Sequence, residues 1–226
     1  MPKITEINLN SLNNRFAGFA HQTKRHKAPD IYYVSAQLKS FEKQYKKLDA
    51  IDFFCDKSLQ LAKDLDEKGL SDISGIIYSG LIKIPTLTKE KKEAIVLLGL
   101  KNAEKKGDNI HILSRIVDLK YLYKNGNKKK YIGILFKEEQ QLTLITEKYQ
   151  QRTSGFKTVA RDKNSLEKYT FRLAASKVDL GKALLRSNPE VALRKLQEAE
   201  QIFLSLNKTK EASFAQSLIS QINTPT

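Results

Sequence analysis

Cysteine is almost absent from the sequence, because Cys55 is the only one among 226 residues. A lone thiol excludes an internal disulfide, and such rarity is typical of proteins in a reducing compartment. We therefore expect a cytoplasmic location. Since Cys55 lies directly after Phe53 and Phe54, we expect its side chain to be a small part of the hydrophobic core.

Long apolar runs are also missing. The stretch from Ala94 to Leu100 is among the longest, and it ends at Lys101. A helix that spans a membrane needs roughly 18 or more apolar residues, so the sequence predicts no membrane span. Lys3 is followed by polar residues and not by an apolar segment, and we expect no secretory signal.

Glycine and proline are scarce, at ten and five residues, and most of them lie where a helix would begin or end. The period-two alternation of strands is absent, whereas apolar residues recur at spacings of three and four, as at Leu38, Phe41 and Tyr45. Asp108 is well placed to cap one helix, and Asn188 with the proline after it predicts the start of another. These patterns predict an all-α chain.

The N-terminal region differs in composition from the rest. Residues 1–29 are polar and weakly periodic and include the basic cluster Lys24-Arg25-His26-Lys27. We expect a flexible basic arm there, with at most one short helix near Leu9 to Phe19. Residues 30–226 are expected to form a helical repeat domain.

An internal repeat supports that domain. The segment Asp118–Leu135 aligns without gaps on Asp179–Leu196. Both segments begin with Asp-Leu and contain a tight turn with asparagine, and an apolar or aromatic residue (Tyr131, Ala192) follows the turn. Short turns make consecutive helices antiparallel, and each hairpin buries its apolar face only by stacking on the next. The sequence therefore predicts antiparallel helical hairpins stacked as a short α-solenoid.

These residues resemble the tetratricopeptide repeat (TPR) family. The family has a Leu-Gly pair and a large residue in its first helix, and a small-large-small spacing in its second. The matching positions are Leu180, Gly181 and Leu184, then Ala192, Leu196 and Ala199. The resemblance is clearest in the C-terminal half. It implies a TPR-like scaffold that binds a protein or peptide on a concave face, and it implies no particular ligand.

Residues with catalytic or metal-binding chemistry are few and dispersed. The only histidines are His21, His26 and His111, and the spacing of the first two splays them apart on a helix. The carboxylates of Glu138 with Glu139, and those around Asp66, are expected to lie on solvated turns. We predict no catalytic residue, no metal, no cofactor and no enzymatic activity. A cleft that assembles residues distant in sequence is the alternative.

Positive charge is the most pronounced feature of the sequence. The chain carries 40 basic and 25 acidic residues, a net charge of +15, and 32 of the basic residues are lysines. Ten basic and three acidic residues between Lys101 and Lys137 leave +7, and nine against three between Gln151 and Arg186 leave +6. These two segments hold 13 of the 15 excess charges.

The charge has a helical pattern in the second segment. At 100° per residue, six basic residues there fall within about 40° of one line, a basic stripe on which Asp179 is the only acid. Leu173 and Leu180 lie on the opposite side. A basic turn cluster after Tyr121 and Tyr123 would extend this face if the hairpins stack in order. The predicted partner-binding residues are Lys157, Arg161, Lys168, Arg172, Lys182 and Arg186 in the basic stripe, and Lys124, Lys128, Lys129 and Lys130 in the turn cluster.

Three interpretations of this surface stay open on the sequence. It is a solvated face of a lysine-rich protein, a contact for an acidic protein or peptide, or a surface that neutralises nucleic-acid phosphates. The helical-hairpin repeat and the absence of a catalytic constellation predict a protein-binding adaptor. Non-specific RNA or DNA binding is the alternative, and the absence of an RNA- or DNA-binding signature and of an obvious row of exposed aromatic residues counts against it. The sequence makes no prediction of the oligomeric state.

Overall fold

The computed structural model describes residues 2–26, 29–154 and 160–223. Within these ranges the regular structure is helical and no strand is present, so the prediction of an all-α fold is confirmed. None of the helices in the described ranges is both long and apolar enough to cross a membrane. In chain order the helices are α1 (Pro2–Arg25), α2 (Ile31–Lys47), α3 (Ile51–Glu67), α4 (Ser71–Leu81), α5 (Lys89–Lys106), α6 (Asn109–Tyr123), α7 (Lys128–Thr153), α8 (Ala160–Leu184), α9 (Pro189–Ser205) and α10 (Thr209–Asn223).

The chain divides into two compact units, residues 1–111 and 112–226. In the first unit α2 packs on α3 and α4, and α4 packs on α5; in the second, α7 to α10 each pack on the next helix in the chain. Only a few residues join α8 to α9 and α9 to α10, so these neighbours run antiparallel. Within each unit, neighbouring helices therefore pack on one another, as expected for a solenoid-like fold.

The N-terminal segment differs from the expected flexible arm. Residues Pro2–Arg25 form helix α1, on which Leu12, Phe16 and Phe19 are buried. The ring of Phe16 lies 5.1 Å from that of Phe41 in α2, in an edge-to-face arrangement. Spacings of four and three residues place these apolar side chains on one helix face, and the polar residues that dominate the composition occupy the others.

The basic cluster at the end of α1 also makes contacts within the fold. The ammonium of Lys24 lies 2.9 Å from the carboxylate of Asp64 in α3, and Lys68 donates a hydrogen bond to the backbone oxygen of Lys24. Lys27 lies outside the described residues. These contacts tie the end of α1 to the end of α3.

Helix ends follow the capping residues that the sequence contains. Gly107 adopts a left-handed conformation (φ 64°) after α5, where a side chain would be strained. The Asp108 carboxylate then accepts hydrogen bonds from the backbone of Ile110 and His111. Asn188 caps α9, and a proline occupies its first turn. The predicted caps Asp108 and Asn188 are confirmed.

The first unit is joined internally by a buried carboxylate. Asp66 in α3 is 6% exposed, and its Oδ1 accepts a hydrogen bond from Ser74 Oγ at 2.5 Å. Its Oδ2 accepts from Tyr78 Oη and Asn102 Nδ2, each at 2.8 Å. The expectation that Asp66 lies on a solvated turn is wrong, because α4 and α5 bring donors that satisfy the charge in the interior.

The second unit depends on a close approach between α8 and α9. Leu173 and Leu180 are buried, as expected for the apolar side of α8. A β-carbon added to Gly181 would lie 2.7 Å from Leu196 Cγ and 3.3 Å from the backbone oxygen of Ala192. Real carbon contacts are longer than this, so only glycine fits at this position without moving the two helices apart.

Candidate partner-binding surface

The basic stripe lies on the side of α8 opposite its buried leucines. Its described members are Arg161, Lys168, Arg172 and Lys182 on α8, and Arg186 just after the helix. All of these side chains are exposed except Arg172, which is half-buried. Lys157, the remaining predicted member, lies outside the described residues.

One end of the basic stripe borders an open cavity of about 270 Å³. The cavity lies between the first turn of α7 and the end of α8, and none of the described residues that line it is acidic. Among the described residues, none of its three basic groups has a carboxylate within 4.0 Å. The lining residues are Lys128, Tyr131, Lys182, Ala183, Leu185 and Arg186.

Hydrophobic packing brings these two helix ends together. Leu135 in α7 is fully buried against Leu180 and Leu184 in α8, and Tyr131 and Leu185 pack on the same cluster. The start of α7 is therefore fixed beside the end of α8. The cavity is thus lined both by apolar side chains of this cluster and by basic groups.

The turn cluster is only partly brought to this cavity. Lys128 lines it, whereas the ammonium of Lys130 lies 5.2 Å from the centre of the Tyr123 ring, a cation–π distance. Lys124 and Lys129 are exposed and are not among the lining residues. The structure therefore joins one member of the turn cluster to the basic stripe.

A second group of basic side chains surrounds two stacked tyrosines near the start of α8. The rings of Tyr149 and Tyr169 are 5.6 Å apart and nearly parallel. Arg152 lies 5.7 Å from the centre of the Tyr149 ring, and Lys168 and Arg172 lie 5.8 and 5.9 Å from that of Tyr169. Burial raises the pKa of Tyr169 above its usual 10.0.

Arg152 and Tyr149 were not predicted as part of the surface. They lie at the end of α7, three residues apart, which is a spacing that places two side chains on one helix face. That spacing was a usable signal within α7. Their position beside Tyr169 depends on the packing of α7 on α8, which the sequence does not specify residue by residue.

The interpretation of Glu138 and Glu139 as a solvated pair is wrong. They are 4% and 8% exposed, because α7 turns them toward α6, α8 and α9. One oxygen of Glu139 lies 2.6 Å from the ammonium groups of both Lys177 and Lys195, and Glu198 pairs with the same two lysines. Burial opposes the ionisation of Glu198, but the Lys177 hydrogen bond and the lysine charges outweigh it and lower its pKa.

The other buried carboxylate holds Lys120 of α6. The ammonium of Lys120 lies 2.8 Å from Glu138 and 2.9 Å from Asp179. Burial disfavours the charged ammonium, but hydrogen bonds and attraction from both carboxylates outweigh it and raise the pKa of Lys120 above 10.5. Asp179, the acid on the line of the basic stripe, is therefore already paired within the protein.

Two other side chains with reactive groups, His111 and Cys55, lie against other residues of the fold. His111 lies 2.7 Å from the Asp108 carboxylate and 3.2 Å from that of Asp72. Cys55 is buried, as predicted, and burial together with nearby carboxylates raises the pKa of its thiol to about 11. In the described ranges, no three or more His, Cys, Asp or Glu side chains come together in a way that could hold a metal ion.

No protein-family model matches the chain, and neither a curated protein nor a solved structure is significantly similar to it.

Proposed function

We propose that the chain is a non-catalytic adaptor that binds an acidic segment of a protein partner through the basic stripe. Three basic side chains from two segments, Lys128, Lys182 and Arg186, converge on one cavity, and its described lining residues include no acid. This observation supports the proposal most directly. The carboxylates of a bound ligand would neutralise these three positive charges. Without a ligand, ions from the solvent neutralise them.

The chemistry of the cavity suits aspartate and glutamate side chains. Ammonium and guanidinium groups donate charge-assisted hydrogen bonds to carboxylates, and Arg186 offers the paired donors of a guanidinium. The apolar atoms of Tyr131, Ala183 and Leu185 provide contact for the methylene groups of such side chains. An acidic peptide therefore matches both parts of the lining.

The arrangement of alternate helices supports a binding face in the second unit. Lys120 of α6 reaches Asp179 of α8, and Lys182 of α8 lies 5.6 Å from the centre of the Phe214 ring in α10. In stacked hairpins, alternate helices line a common face. The TPR-like character of residues 179–199, a scaffold role and a cytoplasmic location are parts of the same proposal.

Non-specific binding of RNA or DNA is the second candidate, because unpaired basic groups also attract phosphates. The stacked tyrosines near the start of α8 do not favour it. Tyr169 is 9% exposed and one of its faces is covered by Tyr149, so it offers no free platform for a base.

The test is capture of partners from native extract with two variants that change the charge equally. In the first variant, Lys182→Glu and Arg186→Glu reverse two charges beside the cavity. In the control, Lys39→Glu and Lys43→Glu reverse two exposed charges at the same four-residue spacing on α2. Each capture is run with and without nuclease and analysed by mass spectrometry.

We expect the wild type and the α2 control to retain a protein that survives nuclease, and the α8 variant to lose it. Equal retention by all three proteins would remove the basic stripe from the contact. Material that disappears on nuclease treatment, with binding that collapses as salt rises, would favour the nucleic-acid candidate instead.

A further inference from the structure

The basic residues of the second unit form two separate groups. The end group consists of Lys128, Lys182 and Arg186 around the cavity. The start group consists of Arg152, Lys168 and Arg172 around the stacked tyrosines. Within the described residues, no carboxylate lies within 4.0 Å of the charged atoms of either group.

The two groups lie on one face of α8 at a fixed separation. Lys168 and Lys182 are 14 residues apart on the same helix. At 100° and 1.5 Å per residue, they point within about 40° of each other and lie about 21 Å apart along the axis. Because both positions belong to one continuous helix, this distance is set by the backbone.

Between the two groups, the described face of α8 carries no free positive charge. Ala175 and Asp179 occupy it, both half-buried, and the Asp179 carboxylate lies 2.9 Å from the Lys120 ammonium. Lys177, which is nearby in sequence, is buried and paired with Glu139. The attraction for an anion is therefore greatest at the two ends of the face and weakest in the middle.

We infer that the acidic ligand is an extended segment of a protein partner with two acidic clusters whose centres lie six to seven residues apart. This inference depends on the proposed function and adds the spacing of the ligand to it. An extended chain advances about 3.3 Å per residue and covers about 21 Å in six to seven residues. A helical ligand advances about 1.5 Å per residue and needs about 14. Acidic residues between the clusters would face Asp179 and weaken binding.

The spacing is measured with peptides of defined length. Two Glu-Glu clusters are joined by proline linkers of increasing length, which hold the chain in a stiff polyproline conformation that rises about 3.1 Å per residue. Fluorescence anisotropy gives the Kd of each labelled peptide for the full chain, with a single Glu-Glu peptide as the reference. We expect the tightest binding when the cluster centres are about seven residues apart, at least about tenfold tighter than the reference, because the second cluster then binds intramolecularly.

Two variants connect that optimum to the residues. Arg152→Glu with Lys168→Glu reverses two exposed charges of the start group and leaves the cavity intact. This variant is expected to abolish the gain in affinity from the second acidic cluster, while its Kd for the single-cluster peptide stays within about threefold of the wild-type value. The α2 control with Lys39→Glu and Lys43→Glu is expected to keep the full gain.

The outcomes separate the two proposals. Single-cluster binding at the cavity without any dependence on spacing would overturn the inferred ligand and leave the proposed function standing. An optimum near 14 residues in peptides with helical linkers, absent from the proline series, would overturn the inferred ligand in the same way. If no acidic peptide binds better to the wild type than to the Lys182→Glu, Arg186→Glu variant, both proposals fall.

Discussion

The contact between α8 and α9 can be tested by adding a single methyl group. Gly181→Ala places a β-carbon 2.7 Å from Leu196 Cγ, 2.9 Å from its Cδ2 and 3.3 Å from the backbone oxygen of Ala192. Carbon atoms reach their best contact at about 3.5–4.0 Å, so the overlap with Leu196 is close to 1 Å. Leu196 is fully buried, and a branch carbon cannot rotate out of the way.

The expected loss of stability is the difference between two effects. Overpacking a filled interior costs about 1–3 kcal/mol, and the upper half of that range applies because backbone blocks one side. Alanine in place of glycine inside a helix contributes about 1 kcal/mol in the opposite direction. We expect Gly181→Ala to lower the free energy of unfolding by about 1–2 kcal/mol.

Gly133→Ala is the matched control, because Gly133 is exposed within α7 and an added β-carbon there meets nothing within 4 Å. Gly133→Ala gains the same helix propensity without a steric overlap, so we expect the free energy of unfolding to rise by up to about 1 kcal/mol. Urea unfolding followed by circular dichroism measures both variants. If Gly181→Ala stabilises the protein as much as Gly133→Ala does, the result would contradict the close approach of α8 and α9 at Gly181.

Three further predictions concern ionisable side chains of the described residues. Glu139→Gln removes one of the two carboxylates that Lys177 and Lys195 share and should cost about 1.5–3 kcal/mol in urea unfolding, whereas the exposed Glu147→Gln should change stability by less than about 0.5 kcal/mol. The pKa of Glu198 is lowered in the folded state. Its ionised form therefore contributes fully to the free energy of unfolding above its unfolded pKa of 4.5, and this contribution is lost as the pH falls through the folded pKa. Glu198→Gln should therefore reduce the fall in the urea midpoint of unfolding below about pH 5. Cys55 is buried with a thiol pKa near 11, so a thiol reagent at pH 8 should leave it unmodified until urea unfolds the chain, and rapid labelling of the native protein would contradict its burial.

Local features of this fold were predictable because they depend on neighbours in sequence. Asp108 and Asn188 bond to backbone groups two or three residues away, so their capping roles follow from position alone. Leu173 and Leu180 are buried because seven residues return to the same helix face. Helix α1 was underestimated for a related reason: Leu12, Phe16 and Phe19 form a narrow apolar stripe within a polar segment.

The charged interior could not be predicted, because its partners are distant in sequence. Glu139 meets Lys177 across 38 residues and Lys195 across 56. Only the packing of α7 against α8 and α9 decides whether that carboxylate faces a lysine or solvent. For the same reason the sequence predicted that the basic stripe and turn cluster would share a face, but not that Lys128 would meet Lys182 at a cavity while Lys130 turns to Tyr123.

The distribution of ion pairs bears on whether the basic surface is only a consequence of a lysine-rich composition. Buried carboxylates on α7 draw Lys120, Lys177 and Lys195 inward, and Asp179 is drawn into the same network. Those acids are then unavailable to the outer face, where the end group and the start group have no carboxylate within 4.0 Å among the described residues. Helix α2 also carries exposed lysines, but its Lys39 and Lys43 lie outside the cavity that the end group lines.

Attraction by net charge alone and binding at the cavity predict different effects of charge reversal on the affinity for acidic ligands. If net charge alone attracts acidic molecules, no single site is favoured, so two reversed charges weaken binding equally wherever they lie. If the cavity is the contact, Lys182→Glu with Arg186→Glu weakens binding at least about tenfold more than Lys39→Glu with Lys43→Glu, although both variants change the net charge by the same amount. Equal effects of the two variants across a salt titration would assign the surface to composition.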